Sequence, residues 1–194
     1  MITYQSTRGS SKKLLFQDII LSGVAEDKGL YLPNSTSLEN LSYLTQEDLN
    51  YEDFVKTIFI ALDENSAKYV DDLSIYPGFE SSPTPTLKEI EENKYVMELF
   101  HGPTKSFKDY ALQPLGAIAD RRLSELGERG LVIVATSGDT GSAAIQAVKN
   151  SKNIDIVVLH PHNKVSEYQR RQMTEVIQDN VLNIAIEGSY DDCQ

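Results

Sequence analysis

Residues 131–144 read LVIVATSGDTGSAA. Leu131 to Ala135 are apolar and mostly β-branched, which suits a strand buried in a sheet. Gly138 and Gly141 then allow a tight turn, and Ser142, Ala143 and Ala144 suit the start of a helix lying close against its strand. A strand that passes through a glycine turn straight into a helix begins a β-α-β unit, so this stretch predicts a parallel sheet.

Working outward, IDIVVLH (154–160) and LNIAIEG (182–188) read as further strands, and KVSEYQRRQMTEVIQ (164–178) reads as the helix between them. This order implies a βαβαβ sheet with right-handed crossovers. Upstream, KYVMEL (94–99) reads as a short strand and SFKDYALQPLGAIADRRLSEL (106–126) as a long helix. Pro114 should kink that helix, because proline removes a backbone donor. The first 80 or so residues read mainly as helices. FQDIILSG (16–23) fits two turns, Thr45 with Asp48 resembles an N-cap, and YEDFVKTIFIALDEN (51–65) carries the stripe Phe54, Val55, Ile58, Phe59 and Leu62. GLYLPNSTS (29–37) reads as loop.

YPGFESSPTPT (76–86) holds three prolines and a glycine in eleven positions, and it is the expected linker between a domain over 1–80 and another over 81–194. The fold class expected is α/β, a mainly helical N-terminal domain followed by an incomplete parallel sheet. The chain reaches GSYDDCQ where the next covering helix should begin, so it is expected to be the front part of a longer protein.

With 194 residues and 40% hydrophobic content, the chain can fill a core. A net charge of −11, from 29 acidic and 18 basic side chains without a basic cluster, disfavours nucleic acid as a partner. Apolar runs such as Leu131–Ala135 fall far short of the roughly 18 residues of a membrane helix. No apolar signal segment follows the N-terminus. The single cysteine, Cys193, excludes an internal disulfide framework and fits a reducing, cytoplasmic compartment. His101, His160 and His162 lack metal-ligand spacing, and His160 and His162 would point to opposite faces of a strand.

Three stretches can carry chemistry. The carboxyl end of a parallel strand followed by a helix N-terminus offers free N–H groups to a carboxylate or phosphate. The same Ser-Gly-Asp-Thr-Gly residues also read as a plain turn capped by Ser137 or Asp139. It is neither a dinucleotide fingerprint nor a P-loop. In FHGPTKSFKDY (100–110), Lys105 and Lys108 both stand at a helix start. Lys108 lies on the face of Leu112 and Leu115, whereas Lys105 lies nearer solvent, so Lys108 is the better candidate for a reactive amine. Lys164, after a strand, suits either an anion site or simple solvation. Asp191 and Asp192 read as solvated, and Cys193 as a small buried residue.

Together these stretches resemble the threonine synthase family. The resemblance runs along the chain in order: YQSTRG (4–9), GVAEDKGLYLP (23–33), ELFHGPTKSFKDYALQ (98–113), ATSGDTGSAA (135–144), HPHNKVSEYQRRQM (160–173) and EGSYDDCQ (187–194). It implies a fold type II enzyme that uses pyridoxal 5'-phosphate. It further implies that Lys108 carries the cofactor while Ser137, Gly138, Asp139, Thr140 and Gly141 lie against it. Thr140 and Lys164 match positions that contact substrate phosphate. The activity implied is a lyase reaction, loss of phosphate from O-phospho-L-homoserine and addition of water to give L-threonine. Two alternatives stay open: phosphate elimination to a 2-keto acid, and a non-catalytic binding module. The family's cofactor-phosphate loop has no counterpart in this chain, so these residues alone are expected to bind the cofactor poorly and not to turn over. Oligomeric state is left open.

Overall fold

The computed structural model describes residues 2–10, 12–34 and 49–194. They form two compact units that divide between Ser74 and Ile75. The Thr45 and Asp48 cap lies outside the described residues.

In the first unit, β1 (Tyr4–Ser6) pairs antiparallel with β2 (Tyr31–Pro33). The expected loop over 29–37 therefore contains a strand, because the Tyr4–Ser6 backbone supplies the hydrogen-bond partners that a local pattern cannot show. Asp27 fastens the approach to β2. Its carboxylate accepts from the Ser6 hydroxyl at 2.6 Å, Gly29 N–H at 3.0 Å and Ser10 N–H at 3.2 Å, and these bonds hold it below the usual carboxylate range.

Helix α1 (Phe16–Ile19) is a single turn, not the two expected. Its last helical bond runs from Ile20 N–H to Phe16, after which a tighter turn closes with Ser22 N–H on Ile19. Helix α2 (Tyr51–Leu62) starts on Asn50, whose side chain accepts from Asp53 N–H, and it carries Glu52 and Asp53 in its first turn. Its apolar stripe is half-buried. A 3-10 turn, Glu64–Ser66, leads into α3 (Ala67–Val70), which buries Tyr69 and Val70 completely. Phe16 is the hub of this core, with ring centroids 6.3 Å from Tyr4, 6.5 Å from Phe59 and 6.0 Å from Tyr69.

The second unit opens with Ile75 and Tyr76 buried. β3 (Thr86–Glu91) and β4 (Lys94–Glu98) form an antiparallel hairpin. β4 is the expected strand, whereas TLKEIE was not recognised. Both faces of β3 are exposed, so no core selects a strong apolar alternation. The hairpin closes at Asn93 with φ 59°, a left-handed conformation that asparagine tolerates.

Helix α4 (Asp109–Leu126) contains Pro114 at a buried position. Proline leaves the carbonyl of Tyr110, one turn earlier, without its helical donor. The Tyr76 hydroxyl supplies the replacement at 3.1 Å. The helix ends at Gly127, whose φ of 65° permits the reversal into β5 (Gly130–Ala135). Then follow α5 (Asp139–Val148), β6 (Ile154–Pro161), α6 (Glu167–Thr174), β7 (Val181–Ile186) and the one-turn α7 (Tyr190–Cys193).

The sheet is parallel in the order β5-β6-β7, as the βαβαβ pattern predicts. Val132 pairs with Ile156 and Val134 with Val158, which fixes one face as the core face. Leu123 from α4, Ala144, Ile145 and Val148 from α5, and Met173 from α6 pack against Ile154, Ile156 and Val158. The other face is apolar but uncovered: Leu131 is 59% exposed, Ile133 64% and Leu182 54%. An alternating burial therefore replaces the two-sided burial usual for a parallel strand.

Two outcomes follow for stability. Ile156→Ala should cost about 2–5 kcal/mol in chemical denaturation, whereas Ile133→Ala should cost about 0.5 kcal/mol or less. In the first unit, burial and then the Asp63 carboxylate push Tyr4 up to about 12. The folded state holds that proton longer than the unfolded state, so Tyr4 contributes fully below the ordinary tyrosine range. That contribution falls by about 1.4 kcal/mol per pH unit as pH rises toward the folded value. Tyr4→Phe should flatten this alkaline slope, measured by denaturation across that window.

Candidate active site

The site is assembled from two loops at the carboxyl edge of the sheet. The first leaves β5 at Thr136, which is buried and donates its N–H to Leu159 O at 2.9 Å. The Thr136 hydroxyl accepts from both Gly138 N–H and Gly141 N–H, each at 3.0 Å. This corrects the expected cap: Gly138 occupies the N-cap position without a side-chain bond, and the hydroxyl two residues earlier satisfies the helix start. Gly138 has φ 148° and ψ −87°, a conformation open to glycine. A Cβ at Gly141 would lie 2.6 Å from Thr136 Cγ2, 2.7 Å from Met173 Sδ and 3.0 Å from Val158 Cγ1, so glycine is what lets α5 approach the sheet. Ser137, Asp139 and Thr140 are exposed on this turn.

The second loop is His101 to Lys108, the run-in to α4. Asp109, the first residue of α4, is fully buried. Its carboxylate folds back to accept from Thr104 N–H and the Thr104 hydroxyl, both at 2.9 Å. Gly102 leaves the room, since a Cβ there would lie 2.4 Å from Asp109 Oδ2. Burial raises the Asp109 carboxyl above its ordinary value, and the Thr104 bonds and the Lys105 charge act in the opposite direction. Lys105 turns the chain at φ 62° and points its exposed side chain away from the core.

Lys108 is the more buried of the two lysines, as helical periodicity predicts, with its side chain 28% exposed. Its ammonium lies 4.6 Å from the Phe107 ring centroid and 3.9 Å from Asp139 Oδ2. The fold thus joins two of the expected site residues from separate motifs. The other Asp139 oxygen, Oδ1, accepts from Gln169 Nε2 at 2.6 Å.

Lys164 is exposed in the turn after β6, where its charge acts on Asp192. Asp192 is a capping residue: it accepts from Ser189 N–H at 2.6 Å and the Ser189 hydroxyl at 2.8 Å, and its own N–H donates to Ser189 Oγ. Those bonds lower its carboxyl. His160 is buried while His162 is exposed beside Glu187, 3.8 Å away. Among the described residues no group of three or more His, Cys, Asp or Glu could hold a metal, and no helix is long and apolar enough to cross a membrane.

Sequence reasoning missed Thr104, Asp109, Thr136, Gln169 and Gln172. Only Asp109 carried a local signal, its place after the lysine and seven residues beyond Gly102. The others act through long-range or turn contacts.

A parallel sheet with a lysine, a carboxylate and a helix N-terminus converging at its carboxyl edge defines an α/β domain with a candidate ligand site at that edge. Comparison with known proteins narrows this class. The "Threonine synthase N terminus" family model matches residues 3–69. Over 98% of its length the chain is 45% identical to the threonine synthase of Pseudomonas aeruginosa, of which it spans 42%. A crystal structure of PLP-bound threonine synthase from Brucella melitensis superposes on the whole chain with a TM-score of 0.88 and 37% identity, over 43% of that protein. The yeast threonine synthase structure matches 99% of the chain with a TM-score of 0.88 and 32% identity, over 42% of its own length. In sequence and in fold, the chain matches the N-terminal part of the threonine synthases. It spans about two-fifths of the length of these relatives.

Thr104→Val would strip one donor from a buried carboxyl. It should lower unfolding stability by about 1–3 kcal/mol, measured by urea denaturation.

Proposed function

We propose that this chain supplies the lysine-bearing part of a pyridoxal 5'-phosphate-dependent threonine synthase. In this reading, residues 1–80 form the family's N-terminal domain and 81–194 a portion of a fold type II catalytic domain. The protein is a cytoplasmic carbon–oxygen lyase that converts O-phospho-L-homoserine and water to L-threonine and phosphate. The observation that carries the proposal is the Lys108 amine at the carboxyl edge of the sheet, 3.9 Å from Asp139 Oδ2.

The residues fit the cofactor. Lys108 keeps its side chain partly exposed, which leaves it open to an aldehyde. The Ser137–Gly141 turn presents small residues and exposed polar groups beside it. When bound, pyridoxal phosphate supplies an electron sink for charge developing on the substrate's α carbon.

The chain's own groups do the rest. Lys108 would hold the cofactor between turnovers and, once displaced by the substrate amine, move protons between the α and β carbons. Asp139 would orient the cofactor's ring-oxygen side, and Ser137, Gly138 and Gly141 would line the ring. Thr140 and Lys164 would meet the substrate phosphate, with the α5 N-terminus adding its dipole. Phosphate leaves the γ carbon and water adds at the β carbon, so the reaction balances without an oxidant.

Mixing the protein with pyridoxal phosphate, reducing with borohydride and mapping peptides should place the label on Lys108 in preference to Lys105. Lys108→Ala should abolish that label. An even spread over exposed lysines would count against the assignment. Product analysis from O-phosphohomoserine with the full-length protein should show threonine, whereas a 2-keto acid would favour the elimination alternative.

A further inference from the structure

Helix α6 carries Gln169 and Gln172, three residues apart on one helical face. Each amide reaches out to a different loop of the site. Gln169 Nε2 donates to Asp139 Oδ1 at 2.6 Å, and Gln172 Nε2 donates to Thr104 O at 2.9 Å. Gln169 cannot easily turn its amide round, because its Oε1 accepts from the Ser166 hydroxyl at 2.9 Å. With Oδ1 of Asp139 engaged, Oδ2 is the oxygen left facing Lys108. Thr104, held by Gln172 through its carbonyl, in turn grips the buried Asp109 next to Lys108.

We propose that Gln169 and Gln172 are positioning residues, a pair of amides on one helix that clamps the Asp139 turn and the Thr104 loop and so sets the separation of Lys108 and Asp139. The clamp acts through Asp139 and Thr104 and touches neither end of the reaction directly. It rests on taking Lys108 and Asp139 as the reactive pair. The geometry also predicts coupling: a change at either glutamine should loosen the same lysine, although the two bonds run to loops 35 residues apart in sequence (Thr104 to Asp139).

The test needs no cofactor, so its failure is separable from failure of the pyridoxal phosphate assignment. Reductive methylation with formaldehyde and cyanoborohydride, quantified by peptide mass spectrometry, gives the labelling of Lys108 relative to exposed Lys105 in the same molecule. Asp139→Asn removes the carboxylate and should raise the Lys108 to Lys105 ratio about two- to five-fold, the range for a partly exposed ion pair. Gln169→Met and Gln172→Met keep side-chain length but remove the amide donor, and each should raise the ratio in the same direction. Neither should raise it further in the Asp139→Asn background, because coupled groups do not add. Glu167→Ala removes the carboxylate partner of Arg170 and Arg171 on α6 but leaves Ser166 and both amides in place, so it should change the ratio little. A ratio unchanged in either glutamine variant, a full additional rise on top of Asp139→Asn, or an equal rise in Glu167→Ala would each overturn the clamp. Circular dichroism of every variant confirms the fold, and each glutamine variant tests the clamp separately.

Discussion

The Thr136 hydroxyl is the contact on which the second unit's site depends. A hydroxyl offers two acceptor lone pairs, and both are used here, by the N–H groups of Gly138 and Gly141. This one buried atom accepts from two N–H groups at the start of α5, one of which, Gly141 N–H, also reaches Gly138 O at 3.1 Å. It holds the chain in a turn that needs glycine at Gly138, and it seats Gly141 against Thr136, Met173 and Val158. Because the turn is fixed from beneath, Asp139 and the free helix terminus are left facing outward at the carboxyl edge.

A second buried group does the same work for the other loop. Asp109 is costly to bury, and Thr104 offsets that cost with two hydrogen bonds. The result orders His101 to Lys108 into a compact arch with Gly102 at its closest point. The site therefore separates its tasks by depth. Thr136, Asp109 and Thr104 are hidden and hold the shape, while Lys108 and Asp139 keep enough exposure to meet a ligand.

The strands of the parallel sheet were legible because LVIVA, IDIVVLH and LNIAI each concentrate β-branched residues between turn signals. TLKEIE was not legible, since an exposed hairpin imposes no inside and outside. Tyr31 to Pro33 hid as a loop because its partner, Tyr4 to Ser6, lies far back at the start of the first unit's sequence. In the site, helical face gave Lys108 a preference over Lys105 that the resemblance made specific, and the Asp139 turn stood out by its glycines. Gln169 and Gln172 did not stand out, because a glutamine on a polar helix carries no local mark of the loop it reaches. The capping function of Thr136 was assigned instead to Ser137 or Asp139, since the usual rule places a cap at the helix start and this one acts from inside the strand's end.

By itself, the sequence determined the local order of the second unit: which segments form the parallel sheet, where glycine must permit a turn, and which of the two lysines before α4 is the less exposed. Those properties follow from side-chain shape, period and backbone freedom, which are set within a few residues. Only the tertiary structure decided that Lys108 meets Asp139, that Tyr76 replaces the donor lost at Pro114, and that two glutamines of α6 bind both loops. Each of these joins groups roughly thirty or more positions apart, and such a contact exists only once the sheet and its helices have packed.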